Sequence, residues 1–327
     1  MKLPSEPVPR RLVTVPAVLA AFAVVTVLLP VLGSSAVIID ALRWVGTRKP
    51  WMATRALAFL WVYLAGEVWA LIAIAVTTPL PAALKTRATY ALQESWTGWS
   101  LAAVIRLFEL KLDVVGDDQV DPGPILVISR HASLIDTLLP AQLISKPHGI
   151  DLRYVLKREL LADPALDLAG NRLPNAFITR SGGGGADVAA IRRLGSQLGP
   201  RDGVLIYPEG TRFSEAKLRR ITERANGSNK PPAFRSVLPP RPAGTLTLLE
   251  SGDADVVVMA HHGLEALSSV SDAWSGHLVG STISVRLWRI DREEIPSDRE
   301  GRLEWLMKVW GQVDDWVTTQ RREKREH

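Results

Sequence analysis

Ile125-Leu126-Val127-Ile128-Ser129-Arg130-His131-Ala132-Ser133-Leu134-Ile135-Asp136 is the stretch on which the fold turns. Four apolar residues give way to a short polar segment and then to a helical pattern, which reads as a buried strand, a turn and a helix. A histidine and an aspartate with four residues between them can meet across such a strand-to-helix turn. The carboxylate would hold the imidazole in one tautomer while its other nitrogen takes a proton from a substrate hydroxyl.

Working outward, short apolar runs alternate with helical patterns. Strands are expected at Leu112–Val115, Ile125–Ile128, Leu152–Leu156, Ala176–Ile178, Val204–Ile206, Val256–Met259 and Ile283–Leu287. Helices are expected at Leu134–Ile144, Ala186–Leu198, Glu215–Ala225, Ala243–Leu249 and Arg302–Gln320. This alternation predicts an α/β fold, a mostly parallel sheet covered by helices. Reactive residues in such a sheet belong at the C-terminal ends of strands. His131 falls there, and so does Tyr207-Pro208-Glu209-Gly210-Thr211-Arg212, which follows the apolar strand Gly203–Ile206. The second motif places a turn-forming glycine, a hydroxyl and a guanidinium together, a set suited to an anionic head group.

The first quarter of the chain has a different character. No charged residue occurs from Leu12 to Ile39, and Glu67 is the single charge from Ala56 to Leu84. Either run is long enough to cross or enter a bilayer. Arg43, Arg48, Lys49 and Arg55, with Trp44 and Trp51, lie between them, a mixture expected at head-group level. The pattern predicts an N-terminal hydrophobic helical hairpin over residues 1–87. A cleavable signal peptide is the competing reading, favoured by Gly33-Ser34-Ser35-Ala36; against it stand the length of the first run and the second run directly after it. Pro16, Pro30, Pro79 and Pro81 fit bent or re-entrant helices, so a hairpin dipping into one leaflet is preferred to one that spans. Residues 88–111 read as an amphipathic linker helix with Leu92, Trp96, Trp99, Ala103 and Leu107 on its apolar face.

Composition adds exclusions. At 327 residues the chain accommodates one α/β domain, here residues 88–327, plus the hairpin. It contains no cysteine, which removes disulfides, thiolate catalysis and cysteine-held metals. The formal charge of +5 suits an anionic partner. The basic residues are scattered and no nucleic-acid recognition module is present, so the expected partner is membrane lipid, not nucleic acid. The C-terminal helix puts Leu303, Leu306, Trp310, Val313 and Val317 on one face, read as a face packed on the domain.

The two motifs together resemble the glycerophospholipid acyltransferase family over roughly residues 110–265. That resemblance implies general-base catalysis by His131 with Asp136. It also implies a substrate-phosphate site formed by Arg180, from Phe177-Ile178-Thr179-Arg180, with Glu209, Gly210, Thr211 and Arg212. Glu209 would organise the turn, since a carboxylate facing phosphate repels it. Lys157 in Lys157-Arg158-Glu159-Leu160 is a further candidate for a phosphate or oxyanion contact. Arg130 stands where many members carry asparagine, and Tyr207 where phenylalanine is usual. The Val237-Leu238-Pro239-Pro240-Arg241-Pro242 block resembles one found in members that act on lysophospholipids, and Arg241 is a weaker phosphate candidate.

The implied reaction moves a fatty acyl group from acyl-CoA or acyl carrier protein to the sn-2 hydroxyl of 1-acylglycerol 3-phosphate, with no further cofactor. Two other readings stay open: remodelling of a lysophospholipid such as lysophosphatidylinositol, and a non-catalytic lipid-binding membrane protein. The expected location is the cytoplasmic membrane, with the catalytic domain on the cytoplasmic face. Ser133 invites a serine-hydrolase reading, but no Gly-x-Ser-x-Gly elbow surrounds it. His261-His262 beside Glu265 lacks a convincing third ligand, so no metal is expected and the pair is read as structural.

Overall fold

The structure is a computed structural model that describes residues 6–179, 184–226, 234–265 and 274–326. Helices α1 (Pro7–Thr47), α2 (Met52–Thr77) and α3 (Ala82–Phe108) come first. The seven strands are β1 (Lys111–Val115), β2 (Ile125–Ser129), β3 (Asp151–Lys157), β4 (Ala176–Ile178), β5 (Asp202–Ile206), β6 (Asp255–His262) and β7 (Thr282–Ile290). The later helices are α4 (Lys146–His148), α5 (Pro164–Gly170), α6 (Gly185–Gly195), α7 (Glu215–Asn226), α8 (Pro242–Ser251) and α9 (Arg299–Glu326). The described residues group into two compact units: residues 6–111, 156–175 and 274–281 form a helical unit, and the others form the sheet unit.

In the sheet unit the strand order is β1-β7-β6-β2-β5-β3-β4. β2 pairs parallel with β5 on one side and β6 on the other. β3 runs parallel to β5, and β7 closes antiparallel on β6. All five residues of β2 are buried, which explains its unbroken apolar run, since a strand covered on both faces has no polar side to alternate with. One face of the sheet presents Leu126, Ile128, Val204, Ile206, Val256 and Val258 to Ile191 and Leu194 of α6, Leu246 and Leu249 of α8, and Trp310, Val313 and Val317 of α9. The C-terminal helix is therefore packed on the domain. Its buried stripe is Leu306, Val309, Trp310, Val313 and Val317, while Leu303 is exposed.

Every expected strand forms within a few residues of its expected span. The helix expected over Leu134–Ile144 does not form as one element. It is a 3-10 turn at Ile135–Leu138, a π turn at Ala141–Ser145 and then α4. Two forces break it. Asp136 reaches back to the Ala132 and Ser133 N–H groups at 2.6 and 2.7 Å, and Pro140 has no N–H to donate. Helix α5, not anticipated, carries its own start signals: Pro164 opens it and Asp163 Oδ1 accepts from Leu166 N at 2.8 Å.

In the helical unit, α1 and α2 are long and apolar enough to cross a membrane. α1 spans 41 residues and continues through Pro16 and Pro30 without a break. It extends beyond the uncharged run because its polar ends find partners. Arg10 grips Asp167 with Nε and Nη2 at 2.9 and 3.0 Å, and Arg11 adds Nη2 at 3.0 Å. Burial alone would raise the Asp167 carboxyl; the hydrogen bonds from Arg10 and Arg11 hold it below its ordinary value. At the other end of α1, buried Asp40 caps α2 from a distance, accepting from the Met52, Ala53 and Thr54 N–H groups at 2.8 to 3.0 Å. α2 and α3 approach closely at Gly66, where a Cβ would lie 2.8 Å from the Trp99 ring. The buried residues of α3 are Thr89, Tyr90, Leu92, Thr97, Leu101, Val104 and Phe108; of the expected face Leu92 is buried and Trp96 partly so, while Trp99 is exposed.

Candidate active site

β2, β5 and β6 are parallel neighbours, so the segments that follow them leave the same edge of the sheet. The register sets Ile128 beside Ile206 and Ser129 beside Met259. This is also where the strand order reverses: the chain passes from β2 out through β3 and β4, returns at β5, and then crosses to β6. The first motif leaves β2, the second leaves β5, and His261-His262 ends β6.

His131 Nδ1 lies 2.9 Å from Asp136 Oδ1. The other carboxylate oxygen, Oδ2, accepts from the Ala132 and Ser133 N–H groups. Asp136 is fully buried, and burial would raise its pKa. Hydrogen bonds from His131 and His261, with their charge, overcome that and hold it well below the usual carboxylate range. An ionised carboxylate can only accept, so Nδ1 carries the hydrogen and Nε2 is left to take a proton. The His131 side chain keeps 13% exposure, enough to meet a substrate.

The second motif is tied to the first through the main chain. Phe213 N donates to His131 O at 2.7 Å, and His131 N donates to Glu209 Oε1 at 3.0 Å. Glu209 Oε2 accepts from Leu238 N at 3.0 Å, so this buried carboxyl faces backbone on both sides. Its burial pushes the pKa up to about 7. The Tyr207 ring packs on the His131 imidazole with centroids 4.6 Å apart, and its hydroxyl is buried without a hydrogen-bond partner. Burial raises that hydroxyl well above its ordinary value, which keeps it protonated.

Gly210 turns the chain at φ +64°, and its N–H donates to Tyr207 O at 3.0 Å. A Cβ here would stand 2.9 Å from Arg241 Cδ, so Arg241 lies against the turn, with its N–H on Pro208 O at 2.7 Å. Thr211 and Arg212 follow, half-buried, and among the described residues no carboxylate pairs with Arg212. Lys217 joins them. Its Nζ donates to Thr211 Oγ1 at 3.0 Å and Arg212 O at 2.7 Å, while burial, then the Arg212 charge, lowers its pKa. Arg180 lies outside the described residues. Lys157 ends β3, is half-buried, and belongs to the helical unit.

A buried scaffold holds this arrangement. Arg130, with no exposure, donates to His261 O at 2.7 Å, Glu265 Oε1 at 2.5 Å and Ser236 O at 3.0 Å. Burial would raise the Glu265 carboxyl, but the Arg130 charge first, then His262, hold it well below its ordinary value. His261 Nε2 lies 3.0 Å from Arg130 O and 3.3 Å from Asp136 Oδ2; both are acceptors, so this nitrogen carries a hydrogen. Asp314 of α9 accepts the N–H groups of Arg235, Ser236 and Val237, fixing the loop that supplies Ser236 O and Leu238 N. Asp314 gave no local signal, because its partners lie far away in the chain; His261, read with His262 as a structural pair, does hold buried groups together here. Lys217 did give one, a cation in the first turn after the second motif. Ser133 is buried and its Oγ accepts from Ile135 N at 2.8 Å, which makes it a turn cap and not an exposed nucleophile. Among the described residues no cluster of His, Asp and Glu is placed to hold a metal ion.

An imidazole backed by a buried carboxylate at the edge of a helix-covered parallel sheet, beside a cation-bearing turn, is an arrangement chemically able to take a proton from a hydroxyl. The family model described as Acyltransferase matches residues 111–239. "Probable 1-acyl-sn-glycerol-3-phosphate acyltransferase 5" of Arabidopsis thaliana is 26% identical over 213 residues, 63% of this chain and 56% of its own length. "1-acyl-sn-glycerol-3-phosphate acyltransferase gamma" of Mus musculus is 28% identical over 195 residues, 58% of this chain and 51% of its own. The chain thus spans about half the length of these relatives. The crystal structure of the 1-acyl-sn-glycerophosphate (LPA) acyltransferase PlsC from Thermotoga maritima shares the fold, with a TM-score of 0.55 at 15% identity over 83% of this chain and 97% of that one. Over residues 111–239 the chain thus resembles acyltransferases, and the relatives it matches are named as 1-acylglycerol-3-phosphate acyltransferases.

Proposed function

We propose that this protein transfers a fatty acyl group from acyl-CoA or acyl carrier protein to the sn-2 hydroxyl of 1-acylglycerol 3-phosphate, giving phosphatidic acid. The observation that carries the reading is the His131 Nδ1 to Asp136 Oδ1 contact of 2.9 Å, joined through Phe213 N and His131 O, 2.7 Å, to the turn bearing Thr211 and Arg212. His131 Nε2 takes the proton as the acceptor oxygen attacks the thioester carbonyl. The C–O bond forms, the C–S bond breaks, and the imidazolium returns its proton to the departing thiolate. Asp136 steadies the imidazolium in between, so no enzyme nucleophile is needed. Arg212, Thr211 and Lys217 hold the acceptor phosphate near the base, with Arg180 as a further candidate, which makes the attack effectively intramolecular.

In this reading residues 1–87 anchor the protein in the cytoplasmic membrane, where the acceptor resides, and residues 88–327 carry the chemistry on the cytoplasmic face. Purified protein supplied with radiolabelled oleoyl-CoA and a panel of lysolipids tests it. Lysophosphatidic acid is the expected acceptor, and His131→Ala is expected to lower the rate by on the order of 10²–10⁴. Preferential acylation of lysophosphatidylinositol would move the assignment to lysolipid remodelling. Equal transfer by wild type and His131→Ala would overturn it.

A further inference from the structure

The helical unit contains a cavity of about 570 Å³ bounded by the start of α1, the end of α2, the start of α3 and the end of α5. Its wall joins two kinds of side chain: Val15, Leu71 and Ile74 are apolar, and Arg11, Lys85 and Arg172 are cationic. The neighbouring carboxylate, Asp167, is already shared by two guanidiniums, with Arg10 Nε at 2.9 Å and Arg11 Nη2 at 3.0 Å. Among the described residues no carboxylate pairs with Lys85 or Arg172. Arg172 instead donates to Ile74 O at 2.8 Å, Thr77 Oγ1 at 2.8 Å and Thr78 Oγ1 at 2.6 Å, which fixes its guanidinium at the last turn of α2. The wall therefore carries surplus positive charge that no carboxylate among the described residues neutralises.

We propose that this cavity binds an anionic glycerophospholipid of the surrounding bilayer, its phosphate between Arg11, Lys85 and Arg172 and its acyl chains along Val15, Leu71 and Ile74. A small soluble anion has no use for the apolar wall, and a neutral lipid has none for three cations. Basic pockets between membrane helices at the head-group level have this pairing of surfaces. The position agrees, because the ends of two membrane-length helices and the first turn of a third meet at the cavity. The proposal rests on α1 and α2 lying in a bilayer, and not on the acyl-transfer chemistry.

The test is native mass spectrometry of the full-length protein in neutral detergent with equal amounts of dioleoylphosphatidylglycerol and dioleoylphosphatidylcholine. Wild type is expected to retain the anionic lipid with a preference of roughly tenfold. Lys85→Gln and Arg172→Gln should each reduce it by about fivefold, the contribution of one cation near an anionic surface. Among the described residues Lys85 has no carboxylate partner to lose, so its variant reports binding even if Arg172→Gln loosens α2. Arg48→Gln, at the far end of α1, is expected to keep the preference. No head-group preference in wild type, an undiminished preference in Lys85→Gln, an equal loss in Arg48→Gln, or displacement of the lipid by millimolar inorganic phosphate would each overturn the proposal.

Discussion

Glu209 Oε1 accepts the main-chain N–H of His131 at 3.0 Å, so the carboxyl of the second motif positions the histidine of the first. Its other oxygen holds Leu238 N, and burial lifts its pKa to about 7 from an ordinary 4.5. Between those values the folded protein keeps a proton that the unfolded chain has released. Stability from this group is therefore present at low pH and lost as pH rises through that window. Thermal midpoints measured from about pH 5 to about pH 8 should fall more steeply for wild type than for Glu209→Gln, which has no proton to lose there. Parallel curves would remove Glu209 as the titrating group.

Asp136→Asn changes the hydrogen that the carboxylate imposes on His131. The amide can donate to Nδ1, leaving Nε2 protonated and unable to act as a base, so kcat should drop on the order of 10²–10⁴ with the acceptor KM little changed. The depressed pKa of Asp136 contributes stability above its unfolded value of 3.8 that disappears on further acidification. The variant should lack this acid-side loss, as a pH-jump unfolding series would show.

Arg130→Asn strands Glu265, whose carboxylate then keeps only the Gly263 N–H and His262 Nδ1 beside it and loses its guanidinium. Removing one member of a buried pair costs about 3–5 kcal/mol, so a large fall in the denaturation midpoint is expected. Activity measured well below that midpoint should also decline, since Arg130 ties Ser236 O to the end of β6.

Gly210→Ala forces a side chain into a left-handed turn at φ +64° and against Arg241 Cδ. A strain of about 1–2 kcal/mol, relieved by shifting the turn, should raise the KM for the acceptor roughly tenfold while the His131-dependent kcat is kept. Steady-state kinetics with varied lysophosphatidic acid separates the two constants.

Ser133→Ala removes a turn cap and no nucleophile. Stability should fall by about 1 kcal/mol, and transfer should survive. A properly folded but inactive Ser133→Ala protein would restore a covalent mechanism.

The sheet was legible because each strand is a short apolar run bounded by turn residues, and β2 has no polar face to confuse the reading. The pairing of His131 with Asp136 was legible for a local reason, five residues joined across one turn. What the sequence hid is of two kinds. His261 could be read as structural, but its partner lies 131 positions away and Asp314 acts 78 positions away, beyond any local pattern. The helix expected after His131 failed because Asp136 answers to the Ala132 and Ser133 N–H groups instead of facing outward. The buried face of α3 was misjudged because tryptophans spaced for one face are partly outside, while Thr97 and Val104 are in.

The placement of β2 between β5 and β6 has a consequence for biogenesis. α1 and α2 are complete by Thr77, whereas β2 must wait for β6, which ends at His262. At ordinary translation speeds that interval is roughly 10–40 s. During it the two helices long and apolar enough to cross a membrane are already synthesised, while the central strand still lacks the partner β6. Delivery to the lipid would thus precede assembly of the catalytic groove.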